Sequence, residues 1–321
     1  MKYETPLFVI LACVSSWAII TVLARVLLLT YGFAPATFVF IQMLAGGLTL
    51  VLLSHKRIKV FGLSPLKQLH TWGFGFFRVI SASFYVGSLL YVSATNGAFL
   101  GATNVIMSVL FVWLILKRKP KLIELPGHLI ILVGWYLLVG QLDNQFSNPA
   151  VWMMLFSQII ISFAIILAET HPMNQNNNSG DTLYLTGIIL LASAIILLIL
   201  SYLASIFEAQ LPESFYPEIR AHVSNFMLQD IFNPYAWIFG IFMGAIFRAA
   251  SIYYSLRAVK LTTTEFYLGS MSIMPFLIFG LEYIAMQLNY LPSKAFEAQP
   301  FILGSLMTLG CLYIIYFKRN K

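Results

Sequence analysis

Charge is what this sequence has least of. Only 10% of its 321 residues are Asp, Glu, Lys or Arg, and 60% are hydrophobic. A soluble domain usually has about 25% charged residues, which it needs to keep its surface in water. The composition therefore excludes an ordinary soluble globular protein.

The sequence also lacks the motifs of several enzyme classes. Its two cysteines, Cys13 and Cys311, both lie in apolar stretches and cannot build a disulfide framework. The five histidines form no ligand cluster with them, and no phosphate-binding Gly-Lys-Ser/Thr element occurs, which argues against an ATP-driven pump within this chain. We therefore predict that the protein is not an enzyme and that it holds no cofactor and no metal.

The chain does have apolar runs long enough to cross a bilayer, for which about 20 helical residues are needed. We count ten such runs, at 6–29, 34–53, 72–94, 98–116, 122–140, 150–170, 183–206, 235–258, 262–286 and 299–317. The first is too long for a cleaved signal-peptide core and is interpreted as an uncleaved helix. The fold prediction is an all-α integral membrane protein with ten transmembrane helices.

The basic residues are distributed very unevenly between the loops. If the N-terminus lies in the cytoplasm, the non-cytoplasmic segments hold only Arg220 and Lys294. The cytoplasmic segments hold Lys2, Lys56, Arg57, Lys59, Lys67, Lys117, Arg118, Lys119, Lys121, Arg257, Lys260, Lys318, Arg319 and Lys321. This asymmetry is the positive-inside pattern. It predicts cytoplasmic termini in a bacterial inner membrane, and it explains the net charge without nucleic-acid binding.

The arrangement of the runs indicates an inverted repeat. Five runs precede the polar stretch 141–149 and five follow, so the halves, predicted as 1–145 and 146–321, insert in opposite orientations. Phe77-Arg78 matches Phe247-Arg248 at an offset of 170, whereas Phe99 to Ala102 resembles Tyr267 to Ser270 at an offset of 168, which predicts an insertion or deletion between the two matches. Two Gly-x-x-x-Gly elements, at 97–101 and 240–244, predict close helix packing.

Two loops differ from the short connections elsewhere. The stretch from His171 to Asp181 is rich in asparagine and is predicted to be a flexible connector. The longest loop, 207–233, mixes acidic and apolar residues, and is predicted to contain a short amphipathic helix on the membrane surface.

Taken together, the pattern resembles the drug/metabolite transporter superfamily, and within it the ten-helix EamA-like branch. Pro275 and Leu281-Glu282 match the proline and the Gly-Glu of that family's ninth helix, with leucine in place of the glycine. The first half has Leu116-Lys117 in place of its own Gly-Glu, and Gln42 stands where many members have an arginine. The resemblance implies a transporter of amino acids, nucleotide-type metabolites or other small polar compounds.

Arg248 is the main candidate for substrate binding. It lies near the middle of its apolar run, where a charge must face protein, water or a ligand. It would either bind an anionic substrate or pair with a carboxylate from another helix. Arg78 is its match in the first half and would face the cavity or reach the interface.

Polar side chains at helical spacing follow both arginines, and we predict that they line a substrate site between the halves. With Tyr254, Asn104 and Tyr267 added, the predicted substrate-binding residues are Arg248, Arg78, Tyr85, Ser81, Ser251, Ser255, Tyr254, Asn104 and Tyr267.

Four other residues have predicted roles near helix ends or breaks. Glu282 and Pro275 are candidates for coupling or gating, with a structural helix end and a static bend as the alternatives. Arg25 and Glu169 lie near the ends of their runs and are predicted to be interfacial anchors. Glu265 is predicted to pair with Arg257 or Lys260.

We therefore predict a secondary transporter that moves a small polar metabolite by alternating access, as an exporter or exchanger. Its partners would be the small-molecule substrate and the lipid bilayer, and it would act as a monomer or homodimer. The alternative is a polytopic membrane enzyme acting on a lipid or a lipid-linked substrate.

Overall fold

A computed structural model describes residues 5–175, 179–210, 226–292 and 298–319 of the chain. Helices make up 86% of the structure, and no strand occurs in these ranges. The predicted all-α class is therefore confirmed.

Long helices occupy all ten predicted runs. They are α1 (Pro6–Tyr31), α2 (Pro35–Leu53), α3 (Leu69–Ser88), α4 (Ala94–Leu116), α5 (Leu122–Val139), α6 (Pro149–Thr170), α7 (Ser179–Gln210), α8 (Pro234–Leu261), α9 (Thr264–Gln287) and α10 (Ala298–Arg319). In the described part of the chain, nine of these are long and apolar enough to cross a membrane. The exception is α3, the helix that carries Arg78 and several serines, and it is enclosed between α6 and α7.

The helix starts follow from local sequence. Thr5 and Asn148 cap α1 and α6 by accepting backbone N–H bonds from Phe8 and Ala150, and a proline follows each cap directly. Proline is favoured there because its fixed φ suits the first helical turn and its missing N–H would be unpaired in any case. Because α1 and α6 open the two halves, this shared start supports the repeat.

Both α4 and α9 are interrupted by a short 3-10 turn, at Gly101–Thr103 and at Met271–Ile273. The helix begins again at Asn104 in α4 and at Met274 in α9. These boundaries correspond at an offset of 170 (101 to 271, 104 to 274), the same as for Arg78 and Arg248. The 168 offset predicted for this pair of helices, and with it the predicted insertion or deletion, is wrong. Pro275 lies in the first turn after the break, where it costs no helix hydrogen bond.

The helix pairs that pack together are related by adding five to each helix number. Thus α3 packs on α6 as α8 packs on α1, α4 packs on α6 as α9 packs on α1, and α3 packs on α7 as α8 packs on α2. The pairs α2–α7 and α5–α10 map onto themselves. This is the packing that two inverted five-helix repeats produce. The division at residue 145 stays a prediction.

Glycines set the closest helix approaches inside the bundle. A Cβ atom on Gly244 would lie 2.6 Å from the carbonyl oxygen of Gln42, so α2 and α8 meet backbone to backbone at this level. A Cβ atom on Gly240 would lie 2.7 Å from the side chain of Ile41, so this glycine makes room for a side chain of α2. The predicted packing role of this Gly-x-x-x-Gly element is thus fulfilled within the chain.

The loop predictions fare less well. The proposed surface helix falls largely on residues 211–225, outside the described residues. In the connector, His171 and Asn174 are fully buried, and the Asn174 amide donates to the carbonyl oxygens of Ala168 and Leu256. The start of this segment is therefore anchored against α6 and α8, and the prediction of a flexible connector is wrong there.

Candidate functional site

A cavity lies at the centre of the bundle, between helices of both halves. Its volume is about 90 Å³. Its polar lining consists of Trp17, Thr21, Arg78, Ser81, Tyr85, Asn104, Ser157, Gln158, Arg248, Tyr267 and Ser272. A mostly apolar cavity with a few convergent polar groups is typical of small-molecule sites.

Arg248 is only 1% exposed and lies at the end of a single π-helical turn, Gly244–Arg248, inside α8. Such turns are rare and occur often at functional sites, because they redirect the side chains that follow. The guanidinium donates through Nε and Nη2 to the Gln42 side-chain oxygen at 3.1 and 2.7 Å. Its Nη1 atom has no hydrogen-bond partner in the described residues. The predicted alternative, pairing with a carboxylate, is thus not what the structure shows, since Gln42 is neutral.

Arg78 is 6% exposed and has no hydrogen bond or ion pair among the described residues. Its guanidinium carbon lies 4.2 Å from the centre of the Trp17 ring, and that of Arg248 lies 4.9 Å from the same ring. Cation–π contact with tryptophan offsets part of the cost of burying a guanidinium, but it leaves the charge in place. The two arginines therefore share one aromatic surface, and no carboxylate of the described residues pairs with either of them.

The close approach of α2 explains how Gln42 reaches this site. Gly244 allows the α2 backbone at Gln42 to contact α8 directly, one helical turn before Arg248. A larger residue would separate the helices and move the Gln42 side chain away from the guanidinium. The Gly240-x-x-x-Gly244 element thus acts on the site through the position of a neighbouring helix.

Other predicted site residues are brought together here. Ser81 hydrogen-bonds the hydroxyl of Ser157 at 3.0 Å, and the Tyr85 and Thr21 hydroxyls lie 3.3 Å apart. Asn104, which starts the second segment of α4, lines the cavity, and its Oδ1 atom has no partner in the described residues.

Three predicted residues lie behind the cavity wall. Ser251 donates to the backbone carbonyl of Arg248, and Ser255 donates to that of Ser251. The Ser255 hydroxyl also contacts Tyr267 at 2.7 Å, so it orients a lining residue. Tyr254 does not line the cavity and packs edge-on against Phe8.

Glu282 lies at one end of the cavity region and is 3% exposed. Its carboxylate accepts the backbone N–H groups of Ala94 and Thr95 at 2.7 and 2.9 Å, and it lies 3.7 Å from the Arg25 Nε atom. We call Arg25, Glu282, Ala94 and Thr95 the Glu282 cluster. The prediction that Arg25 is an interfacial anchor is wrong, because the Arg25 side chain is only 13% exposed and faces Glu282.

A second cluster fixes the start of α9 in the same manner. Glu169 accepts the backbone N–H of Thr264 at 3.0 Å and its hydroxyl at 2.6 Å, and it pairs with Arg118. Arg118 also lies 3.2 Å from Glu265. We call Arg118, Glu169, Thr264 and Glu265 the Glu169 cluster. Glu169 therefore caps the start of α9, and the prediction that it is an interfacial anchor is wrong. Glu265, which was predicted to pair with Arg257 or Lys260, forms an ion pair with Arg118.

Trp17 and Gln42 were missed as site residues, and Gln158, Thr21 and Ser272 were not among the predicted binding residues. Gln42 interrupts an apolar run near its middle, which is the signal that identified Arg248, whereas Trp17 is itself apolar and gives no such signal. The contact of Gln42 with Arg248, and that of Trp17 with both arginines, depend on helix packing that periodicity alone does not give.

Comparisons with known proteins agree with this architecture. Residues 5–140, which contain α1 to α5, match the model of the EamA-like transporter family. A solved structure, described only as the crystal structure of a protein, superposes with a TM-score of 0.62 over 97% of both chains at 16% sequence identity, and so shares the fold. No curated protein matches the chain. The match of residues 5–140, less than half of the chain, to this family of membrane transporters confirms the predicted resemblance.

Proposed function

We propose that this protein is a secondary transporter for a small metabolite that carries an anionic group, such as an amino acid, a nucleotide-like compound or an organic acid. The observation that carries the proposal is the pair of buried guanidinium groups on Trp17. Two positive charges that contact no carboxylate of the described residues are costly in a membrane interior. An anionic ligand that displaces cavity water would lower that cost and complete the hydrogen bonding of Arg248 Nη1 and Arg78 Nε.

The proposed mechanism is alternating access. The repeats, residues 1–145 and 146–321, would rock about the central cavity in a bacterial inner membrane with both termini in the cytoplasm. Arg248, Arg78, Ser81, Tyr85, Asn104 and Tyr267 would contact the ligand, whereas Ser251, Ser255 and Tyr254 would support the wall. Transport would proceed as export or exchange.

Glu282 is proposed as a gating residue. It fixes the first turn of α4, whose 3-10 break at Gly101–Thr103 lies beside the cavity. Release of the ion pair with Arg25 would free that turn to move and open one end of the cavity. Pro275, directly after the matching break in α9, would keep that break in place.

The direct test is counterflow of labelled metabolites into proteoliposomes, after a thermal-shift screen of amino acids, nucleotides and organic acids. We expect at least one anionic compound to stabilise the protein and to exchange. Arg248→Gln should abolish both effects while the protein stays folded.

The matched control is Lys59→Gln, which removes a cation that is exposed and does not line the cavity. Arg25→Gln and Arg57→Gln are poor controls, because they would leave the buried carboxylates of Glu282 and Asp181 without their cations. Equal exchange by Arg248→Gln and Lys59→Gln would refute the site, and exchange of no compound by the unmodified protein would refute the transporter proposal.

A further inference from the structure

The cavity has two chemically different ends, and their order can be read from contacts between α1 and α3. Trp17 contacts Arg78, Thr21 contacts Tyr85, and Arg25 donates to the carbonyl oxygen of Leu89 at 3.4 Å. The three contacts follow the two helices in the same direction. The level of Trp17 therefore lies at one end of the cavity and the level of Leu89 at the other.

The end near Leu89 is apolar. The side chains that line it are Ile20, Ala24, Val86, Leu89, Ala98 and Met274. From Trp17 to Ala24 the helix rises about 10 Å at 1.5 Å per residue, which is enough for a single ring or a short alkyl chain. A ligand that fills the cavity thus places an acidic group at the arginines and an apolar body toward Leu89.

The charged end is wholly cationic in the described structure. No Asp or Glu is among the residues that line the cavity. Glu282, beyond the apolar end, is already engaged by Arg25, Ala94 and Thr95. A ligand ammonium group would be a third positive charge beside Arg78 and Arg248, with no carboxylate to receive it.

The polar groups that lack partners between the two ends are neutral. They are the Asn104 Oδ1 and Ser272 Oγ atoms, which lie at the breaks of α4 and α9. An amide oxygen is satisfied by a neutral hydroxyl donor, and a serine hydroxyl by a neutral acceptor. These groups suit a hydroxyl or keto substituent on the ligand.

We infer that the cavity takes an organic acid with an apolar body of about one ring and a neutral hydroxyl or keto substituent, and that it discriminates against the corresponding amino acid. This inference rests on the proposed function and narrows its substrate class. Arg78 and Arg248 would set the charge preference, because each ligand atom near them must tolerate both guanidinium groups.

The test compares three probes of similar size against the full-length protein in proteoliposomes: phenyllactate, 3-phenylpropionate and phenylalanine. We expect phenyllactate to bind most tightly in thermal-shift titrations, followed by 3-phenylpropionate, which lacks the hydroxyl. Phenylalanine should bind at least about tenfold more weakly than phenyllactate, a difference of about 1.4 kcal/mol. Counterflow should follow the same order.

A variant separates charge discrimination from shape. Arg78→Gln removes one of the two cations but keeps a polar, though shorter, side chain, so the preference for phenyllactate over phenylalanine should shrink. Lys59→Gln should leave it unchanged. Phenylalanine binding as tightly as phenyllactate, or no binding of any of the three probes, would overturn the inference. If other anions still exchange in counterflow in either case, the proposed transporter function stands and only the substrate class is wrong.

Discussion

The Glu282 cluster and the Glu169 cluster hold the starts of two counterpart helices with exchanged charges. In the Glu282 cluster the arginine comes from the end of α1 and the glutamate from α9, and they fix the start of α4. In the Glu169 cluster the glutamate comes from the end of α6 and the arginine follows α4, and they fix the start of α9. Adding five to each helix number relates the positions but inverts the charges.

The two clusters differ in burial as well as in charge order. The side chains of Arg25 and Glu282 are 13% and 4% exposed, whereas those of Arg118 and Glu169 are 38% and 16% exposed. Arg118 also has a second carboxylate, Glu265, at 3.2 Å. The Glu282 cluster is therefore drier and has fewer alternative partners, so the loss of one member should cost more there.

The largest expected effect is the difference between Glu282→Gln and Glu169→Gln. Glu282→Gln leaves Arg25 buried without a counter-ion and weakens two N–H bonds at the start of α4, at a cost of about 3–5 kcal/mol. Glu169→Gln should cost only about 1–2 kcal/mol, because Arg118 keeps Glu265 and is partly hydrated. Thermal unfolding in detergent micelles measures both changes.

Equal losses in the two variants, or a larger loss for Glu169→Gln, would contradict the ranking. A matched control is Asp230→Asn, before the start of α8. Asp230 is exposed and belongs to neither cluster, and asparagine also adopts its φ of 54°, so its replacement should change the unfolding temperature little.

The exchange of charges between the two clusters explains why the sequence predicted some features of the molecule and not others. The ten helices, the packing of the Gly240 element and the places of Arg78, Tyr85, Asn104 and Tyr267 beside Arg248 all follow from hydrophobic periodicity and internal matching. A search for like residues at a fixed offset cannot find Glu169 as the counterpart of Arg25. Both halves have an ion pair at this place, but the helix that supplies arginine in one half supplies glutamate in the other. For the same reason, the residues near the ends of α1 and α6 were mistaken for interfacial anchors.

The contact between Gln42 and Arg248 is a second feature that could not be predicted from the sequence. A glutamine in an apolar run signals a buried polar contact, but its partner depends on which glycines let α2 approach α8. The break in α4 at Gly101–Thr103 was also not predicted, because no proline stands at Val105 to match Pro275.

Acidification should destabilise the protein next to the Glu169 cluster, by protonating His171. His171, two residues after Glu169, is fully buried; its Nδ1 atom accepts the Met173 N–H at 3.2 Å, and Nε2 lies 3.1 Å from the Thr71 hydroxyl. Burial, together with His70 at a ring distance of 5.7 Å, lowers the pKa of His171 from 6.5 to about 4. Protonation of Nδ1 would break its bond to Met173.

The sign follows from proton binding. Between pH 6.5 and 4 the unfolded state holds a proton on His171 that the folded state does not, so stability is full above pH 6.5 and falls as the pH drops. The total loss approaches about 3 kcal/mol near pH 4. Unfolding temperatures from pH 7.5 to 4.5 would measure it, with His171→Asn, which can still accept the Met173 N–H, as the reference. A parallel decline in His171→Asn would show that other groups cause the acid sensitivity.

The smallest expected effect concerns how α4 and α9 end. The residue after α4, Lys117, has φ of 58° and ψ of 19°, a left-handed conformation that favours glycine, and the chain then leads to Arg118. The residue after α9, Leu288, has φ of −86° and needs no such turn. Lys117→Gly should therefore stabilise the protein by up to about 1 kcal/mol through relief of backbone strain, while Leu288→Gly should destabilise it by a similar amount because it only adds freedom to the unfolded chain. Differential scanning of the two variants in the same detergent tests the contrast. If both substitutions destabilise equally, the turn at Lys117 carries no strain, and the two helix ends differ in the charges they present but not in their backbone energy.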